Sequence, residues 1–430
     1  VILPPHLTVR GGHLHIGEHD AVDLVERFGT PLYVTDDARI RRNFRRLSGA
    51  LITHYPEVRV LYAAKANGNL AILRTLASMG AGADVFSAGE LALALSAGMR
   101  PDRLLFNGSS KSPSDLALAV ETGVRVSVDS IDELQHLERA AGEAGTTVDI
   151  AFRVNPAIDV PTHPKIATGL ATSKFGIPAD EILNAYRHAL AAEHINPVGI
   201  HCHIGSQILD VEPFAREVEV LIEVTRDLID IGVDLSFIDI GGGLGIPYRR
   251  ETDRAPTPED YAGAVMPVFL RGIHELGIEP ELWVEPGRWL VADSTILLAR
   301  VNSVKIAHKA FANIDAGFNL LARPVMYDSY HEVVAGNKAD MPAVREYTIA
   351  GPICETGDIL AEDRMLPDLV AGDIIAVLDA GAYGFAMSSQ YNSRPRCAEV
   401  ILSGEEAALM RRAETIDDLV ALMEVPPWQA

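Results

Sequence analysis

Cysteine is scarce in this 430-residue chain: Cys202, Cys354 and Cys397 stand far apart and are odd in number. That excludes a disulfide framework and a zinc-ligand spacing. Basic residues are also short, 37 lysines and arginines against 59 aspartates and glutamates, for a net charge of −22. Nucleic acid and anionic membranes both call for a basic face, so neither is an expected partner. An anionic small molecule has to be caught locally, by individual arginines or backbone N–H groups. No apolar run comes near the roughly 18 residues that a membrane helix needs. The opening stretch Val1-Ile-Leu-Pro-Pro-His6 has neither the basic region nor the apolar core of a secretory leader. The expectation is a cytoplasmic protein.

What is present is a folded, multi-domain composition, with 48% apolar and 22% charged residues over a length that exceeds one ordinary domain. Short strand patterns at Leu7–Arg10 and His13–Ile16 flank a Gly11-Gly12 turn, followed by a helix near Ala21–Phe28 and a strand at Leu32–Val34. A regular beat then begins. Strands are expected at Arg59–Lys65, Ala83–Ser87, Leu104–Asn107, Arg125–Asp129, Asp149–Asn155, Val198–Gly205, Phe237–Gly241 and Leu282–Glu285. Helical patterns lie between them, at Leu70–Met79, Ala88–Ala97, Pro113–Thr122, Ile131–Ala144, Ala179–Ala192, Glu212–Ile231 and Pro258–Leu276. Eight such units are the arithmetic of a (β/α)8 TIM barrel, an α/β fold; a doubly wound open sheet is the alternative. After about Thr295 the pattern changes to β-like runs with turn residues between them. The expected organisation is a barrel over 31–294 and a C-terminal all-β domain over 295–430 that also takes in residues 1–30.

A barrel of this kind collects its chemistry at the C-terminal ends of its strands. The expected strand ends carry Lys65, Asp84 to Ser87, Asn107, Asp129, Arg153, His203 to Ser206, Gly241 to Gly243 and Glu285. Val58–Ala64 is nearly all apolar, as in a strand covered on both faces, and it stops on Lys65. That lysine is either an ordinary charge surfacing at a strand end or an amine in a dry pocket, its pKa lowered for attack on a carbonyl. Gly241-Gly242-Gly243-Leu-Gly245 follows the seventh strand, where backbone N–H groups can approach a phosphate. Ser206 and the turn Glu285-Pro-Gly287-Arg288 stand to either side. His201 and His203 share one face of their strand; with no third ligand in view, metal is not expected, and His203 is better suited to stacking on a ring. Glu285 ends a buried strand, where a protonated ring nitrogen would pair with it. Amine, phosphate cradle, stacking ring and carboxylate together suit pyridoxal 5′-phosphate. The long connection Pro156–Ile177 reads as a lid or substrate loop.

With these residues the chain resembles the diaminopimelate decarboxylase family of pyridoxal-phosphate enzymes, over nearly its whole length. The likeness rests on Tyr62-Ala-Ala-Lys-Ala-Asn67, His201-Cys-His-Ile-Gly-Ser-Gln207, Gly241-Gly-Gly-Leu-Gly-Ile-Pro-Tyr248, Glu285-Pro-Gly-Arg288, Arg323-Pro-Val-Met-Tyr327, Gly351-Pro-Ile-Cys-Glu-Thr-Gly-Asp358, Gly381-Ala-Tyr-Gly384 and Tyr391-Asn-Ser-Arg-Pro395. It implies an alanine-racemase-like barrel with Lys65 holding the cofactor, His203 stacking on it and Glu285 pairing with its nitrogen. Ser206, Gly243, Gly287, Arg288 and Tyr383 would hold its phosphate, with Asp84 and Arg153 at neighbouring strand ends also in contact. Arg288, Arg323, Tyr327, Glu355 and Tyr383 would bind the substrate. Cys354 would be the proton donor, given to the barrel of the neighbouring subunit in a homodimer.

The implied activity is decarboxylation of meso-2,6-diaminopimelate to L-lysine. Two arginines, Arg288 and Arg323, suit a substrate with a second carboxylate. Phe318 and Leu320 stand where the family usually has methionine and aspartate. The alternatives are a decarboxylase of ornithine, arginine, lysine or a carrier-bound glutamyl group, an amino-acid racemase, or a non-catalytic relative. The last tends to lose the lysine or the cysteine; both are present here.

Overall fold

The computed structural model describes residues 2–170 and 172–429, and it separates into two compact units. The larger holds the described residues of Arg41–Pro247 and Arg254–Leu290. Its strands are Val58–Ala63, Gly82–Val85, Leu104–Phe106, Arg125–Val128, Val148–Asn155, Ile195–Cys202, Phe237–Asp239 and Glu281–Val284. Neighbours pair in parallel in that order, and Leu282 of the eighth strand pairs with Val58 of the first, closing a (β/α)8 barrel. A two-residue strand, Ile177–Pro178, adds beside the fifth.

The apolar strand sequences follow from this closure, because every strand is covered on both faces. Leu61, Leu105, Ala151, Val198, Phe237 and Trp283 pack together as one buried cluster. The Phe237 and Trp283 rings stack with centroids 3.7 Å apart. That stack sets the requirement at Gly199, whose Cβ would sit 2.2 Å from the Phe237 ring. Helices begin where side chains cap them: Ser87, Ser112, Ser130 and Thr257 accept the N–H of Glu90, Asp115, Glu133 and Asp260. Each such cap contributes about 1 kcal/mol. Ser87 and Ser130 do so two residues after strands two and four end, so these loops at the barrel mouth are short and fixed.

The smaller unit holds the described residues up to Ile40, Tyr248–Asp253, and those from Val291 onward. Leu7–Arg10, His13–Ile16 and His19–Asp20 form a small antiparallel sheet. A larger sheet runs in the order Ile359–Leu366, Arg345–Ala350, Ala310–Ile314, Thr295–Ile306, Leu32–Asp36, Ala398–Ser403, Glu406–Arg411, with Val333–Ala335 and Ile374–Val377 branching from it. Leu32–Asp36, within the span expected for the barrel, lies instead at the centre of this sheet, antiparallel to Thr295–Ile306 and parallel to Ala398–Ser403. It is buried throughout, and its Leu32 and Val34 belong to an apolar core with Leu298, Ala376 and Val400. Its sequence reads the same as a barrel strand because both are central.

Candidate active site

Lys65 does not end the first strand. The strand stops at Ala63, and Lys65 is the middle residue of a 3-10 turn, Ala64–Ala66. The turn is pinned on its far side by Asn67, whose carbonyl accepts the Tyr62 hydroxyl at 3.0 Å, and by Asn69, which caps the helix Leu70–Ser78. The amine is not in a dry pocket either: the side chain is 31% exposed. It forms a short ion pair with Asp84 and lies 4.5 Å from the centre of the Phe86 ring.

Asp84 is fully buried, and its other oxygen accepts from the Asn107 amide at 2.6 Å. The same amide donates to Glu285 at 2.8 Å. Asn107 therefore joins the carboxyl groups of strands two and eight. Beyond its place at a strand end no local signal marks it, because the bridge exists only once the barrel closes. Burial alone would push Glu285 up; His201, Lys65 and His203 outweigh it and hold its carboxyl well below the ordinary range. Asp84 goes the other way, raised by burial and by the Glu285 charge. Asp239 is raised well above its usual value for the same two reasons. One carboxyl of the three thus takes the negative charge most readily, and it is Glu285.

His203 is half-buried and accepts the Gly242 N–H on Nδ1 at 3.1 Å. Burial, then Arg153 and Lys65, push its pKa well down, so the ring is neutral with its proton on Nε2. Arg153 is buried, 4.5 Å from the centre of the Phe175 ring, and its guanidinium reaches the His203 carbonyl at 3.5 Å. His201, on the same face, is fully buried and meets two carboxyl groups, Asp239 and Glu285, with one polar atom of each residue within 4.8 Å of the others.

The glycine loop is close-packed. A Cβ on Gly242 would lie 2.0 Å from the Glu285 carbonyl oxygen, and one on Gly243, at φ +118, would lie 2.5 Å from that of Gly205. Gly287 packs against Ala63 and Ala66. Arg288 is buried and donates to the Ser206 hydroxyl at 2.9 Å. The long connection is tied to the same place: Ser206 N–H donates to Ile166, Thr162 donates to the Ser206 carbonyl, and Thr168 and Gly169 donate to Ile204. Ala171 within it lies outside the described residues.

The remaining candidates lie on the β unit. Arg323 is buried; it donates to His331 at 2.9 Å and to Ser329, and stands 4.4 Å from the centre of the Tyr248 ring. Tyr327 is half-buried at the end of the short helix Arg323–Tyr327. Tyr383 is half-buried with φ +56, a left-handed backbone that a tyrosine rarely adopts. Cys354 and Glu355 are exposed: the Cys354 N–H donates to Asn392, and Glu355 accepts the Tyr391 hydroxyl at 2.8 Å. Asp358 is buried, and its carboxyl oxygens accept the N–H groups of Phe318 and Ile353, both at 2.7 Å. Phe318 lies against Tyr391 with ring centroids 5.8 Å apart, and Leu320 is buried in the sheet core.

The model of the pyridoxal-binding domain of pyridoxal-dependent decarboxylases matches residues 37–292. A curated diaminopimelate decarboxylase of Archaeoglobus fulgidus is 52% identical over 94% of this chain and 96% of its own length. That of Methanothermobacter thermautotrophicus is 45% identical over 96% of each. Among solved structures, the diaminopimelate decarboxylase of M. jannaschii in complex with L-lysine is 38% identical, covers 99% of both chains and superposes with a TM-score of 0.94.

Proposed function

Since the chain belongs to the pyridoxal-dependent decarboxylases, and within them to the diaminopimelate decarboxylase family, we propose that it releases CO2 from meso-2,6-diaminopimelate to leave L-lysine, the closing step of lysine synthesis. The observation that carries this reading is Glu285, a buried carboxyl beside the Lys65–Asp84 pair, joined to Asp84 through the Asn107 amide and held low by the positive groups around it. A buried negative charge in that position suits a protonated ring nitrogen, and the glycine loop, with no room for a Cβ, suits a phosphate brought against backbone. The residues present therefore fit pyridoxal 5′-phosphate. When bound, that cofactor supplies an electron sink conjugated to the substrate's α-carbon.

The chain's own residues supply the rest. Lys65 would hold the cofactor through its amine, and Asp84, which pairs with that amine, would balance its charge whenever it is free. Glu285 keeps a proton on the ring nitrogen, and neutral His203 stacks without adding a competing charge. Ser206, Gly243, Gly287, Arg288 and Tyr383 hold the phosphate, and Arg153 closes that side. Arg288, Arg323, Tyr327, Tyr383 and Glu355 grip the end of the substrate that does not react, where a carboxylate calls for guanidinium groups. Loss of CO2 leaves an electron pair at the α-carbon, and a proton must replace the carboxylate. Cys354 is the donor, recharged from water, so one proton is consumed per CO2 released. Its exposure supports a role at the barrel of a second copy, and hence a homodimer with shared sites. In this scheme the barrel, with a span of 31–294, binds the cofactor, and the β domain, 1–30 with 295–430, supplies substrate and dimer contacts; on the geometry, Leu32–Asp36 goes with the latter.

Three unpaired cysteines suit a cytoplasmic setting. Among the described residues no helix is long and apolar enough to cross a membrane. The test is direct. Purified protein with cofactor is given meso-diaminopimelate and, separately, ornithine, arginine and lysine, and CO2 is measured. Release from meso-diaminopimelate alone is expected; release only from the other three overturns the substrate assignment.

A further inference from the structure

We infer that Ser127 and His201 form a positioning pair behind Glu285, holding its carboxylate ionised and aimed at the cofactor's ring nitrogen. This rests on the reading above that places that nitrogen at Glu285. Ser127 belongs to the fourth barrel strand and His201 to the sixth, and both are buried in the barrel interior. Ser127 Oγ and His201 Nδ1 are 2.8 Å apart, and His201 Nε2 is 3.4 Å from Glu285 Oε2. The three side chains form a continuous line from the barrel wall to the carboxylate.

The position of the ring proton follows from what surrounds it. His201 sits with the carboxyl groups of Asp239 and Glu285, all within 4.8 Å. A lone pair on Nε2 would point at negative oxygen; an N–H there points a positive edge at it. The proton is therefore on Nε2, and the Ser127 hydroxyl, which rotates freely, donates to Nδ1. Asn107 donates to Glu285 Oε1 at 2.8 Å, and the His201 Nε2 edge stands 3.4 Å from Oε2, an electrostatic contact that falls short of hydrogen-bond geometry. One group facing each oxygen fixes the plane of the carboxylate as well as its charge. In a buried site such contacts act more strongly than in water.

Other groups face Glu285 as well. Lys65 and His203 lower its pKa, with Lys65 itself paired to Asp84. Asp239 and Asp84 are raised by burial and by the Glu285 charge, so they are the carboxyls that give way. Behind Glu285, away from the Lys65 amine, stand His201 and a raised Asp239, and His201 is the one that offers it a ring N–H. His201 acts through Glu285 and is a positioning residue.

The test uses holoenzyme variants His201→Leu, His201→Gln and Ser127→Ala. The first readout is the visible absorption of the bound cofactor followed against pH without substrate; the second is kcat and KM for meso-diaminopimelate. His201→Leu is expected to move the spectral midpoint to lower pH by about one unit and to cut kcat about tenfold with KM little changed. His201→Gln, whose amide nitrogen can stand where Nε2 stands, recovers most of both. Ser127→Ala shifts them less, in the same direction. A His201→Leu protein with the wild-type midpoint and kcat overturns the inference, and so does a Gln variant no better than Leu. Should the Leu variant fail to fold, an unshifted midpoint in Ser127→Ala overturns it alone. A wild-type protein that binds cofactor but leaves meso-diaminopimelate intact refutes the substrate assignment while the spectral comparison still stands.

Discussion

Glu217 is the strongest handle on stability that the barrel offers. It lies on the helix Glu212–Asp230, is fully buried, and both carboxyl oxygens lack a hydrogen-bond partner at ordinary geometry. Burial pushes its pKa up to about 8 from an ordinary 4.5, against the opposing pull of the neighbouring Cys202 thiol and Arg153. The folded protein thus keeps a proton that the unfolded chain gives up above about pH 4.5. The contribution of this group is intact below that pH and is lost progressively until about pH 8, above which it is flat. From 4.5 up to pH 7, at about 1.4 kcal/mol per pH unit, the loss is about 3 kcal/mol. Glu217→Gln removes the titration and little volume. Whatever constant offset the amide brings, the difference in melting temperature between variant and wild type should grow in the variant's favour between pH 5.5 and 7.5, by several degrees. The other carboxyls titrate in both proteins and cancel. Thermal melts at four or five pH values across that window suffice. Parallel curves for the two proteins would refute both the burial argument and the assignment of a neutral Glu217.

Two further outcomes concern Cys354 and the loop that carries it. Lys65→Ala and Cys354→Ala should each be nearly inactive alone, and unfolding and refolding them together in equal amounts should restore about a quarter of wild-type activity, because half of random dimers then carry one intact site of two; no recovery would place both residues in one subunit's site. Asp358→Ala leaves the Phe318 and Ile353 N–H groups buried and unmatched, at about 1–3 kcal/mol each, so it should lower both the melting temperature and kcat, with Asp358→Asn recovering part; unchanged kcat would separate Cys354 from the loop that Asp358 ties.

The fold was legible for a local reason and misread for one. Each barrel strand is an apolar run between turn residues and capped helices, and runs such as Leu104–Phe106 and Val148–Asn155 need no partner to be recognised. Leu32–Asp36 is just such a run, yet it belongs to the other sheet. Covering on both faces leaves the same mark in either place, so a strand can be identified without its neighbours being known. In the β unit, Ile359–Leu366 carries a weak strand signal because Glu362, Asp363 and Arg364 break its apolar alternation at the end of the sheet.

The site divides along the same line. Lys65, His203, Glu285 and the glycine loop stood out because each is an odd residue in its own local context: a charge after an apolar run, a carboxylate at a buried strand end. Asn107, Ser127, His201 and Asp239 carry no such oddity. A polar residue facing into a barrel becomes meaningful only against the residues that face it, and Glu285 meets Asn107 from 178 positions away. Glu285 shows why this matters. Taken alone, a carboxyl so buried should be pushed up, as Asp84 and Asp239 are. It is ionised because Lys65, His201 and His203, contributed by the first and sixth strands and their loops, lie around it. Its sequence position predicts a carboxylate in the right place; its charge, on which the chemistry turns, is a property of the closed barrel.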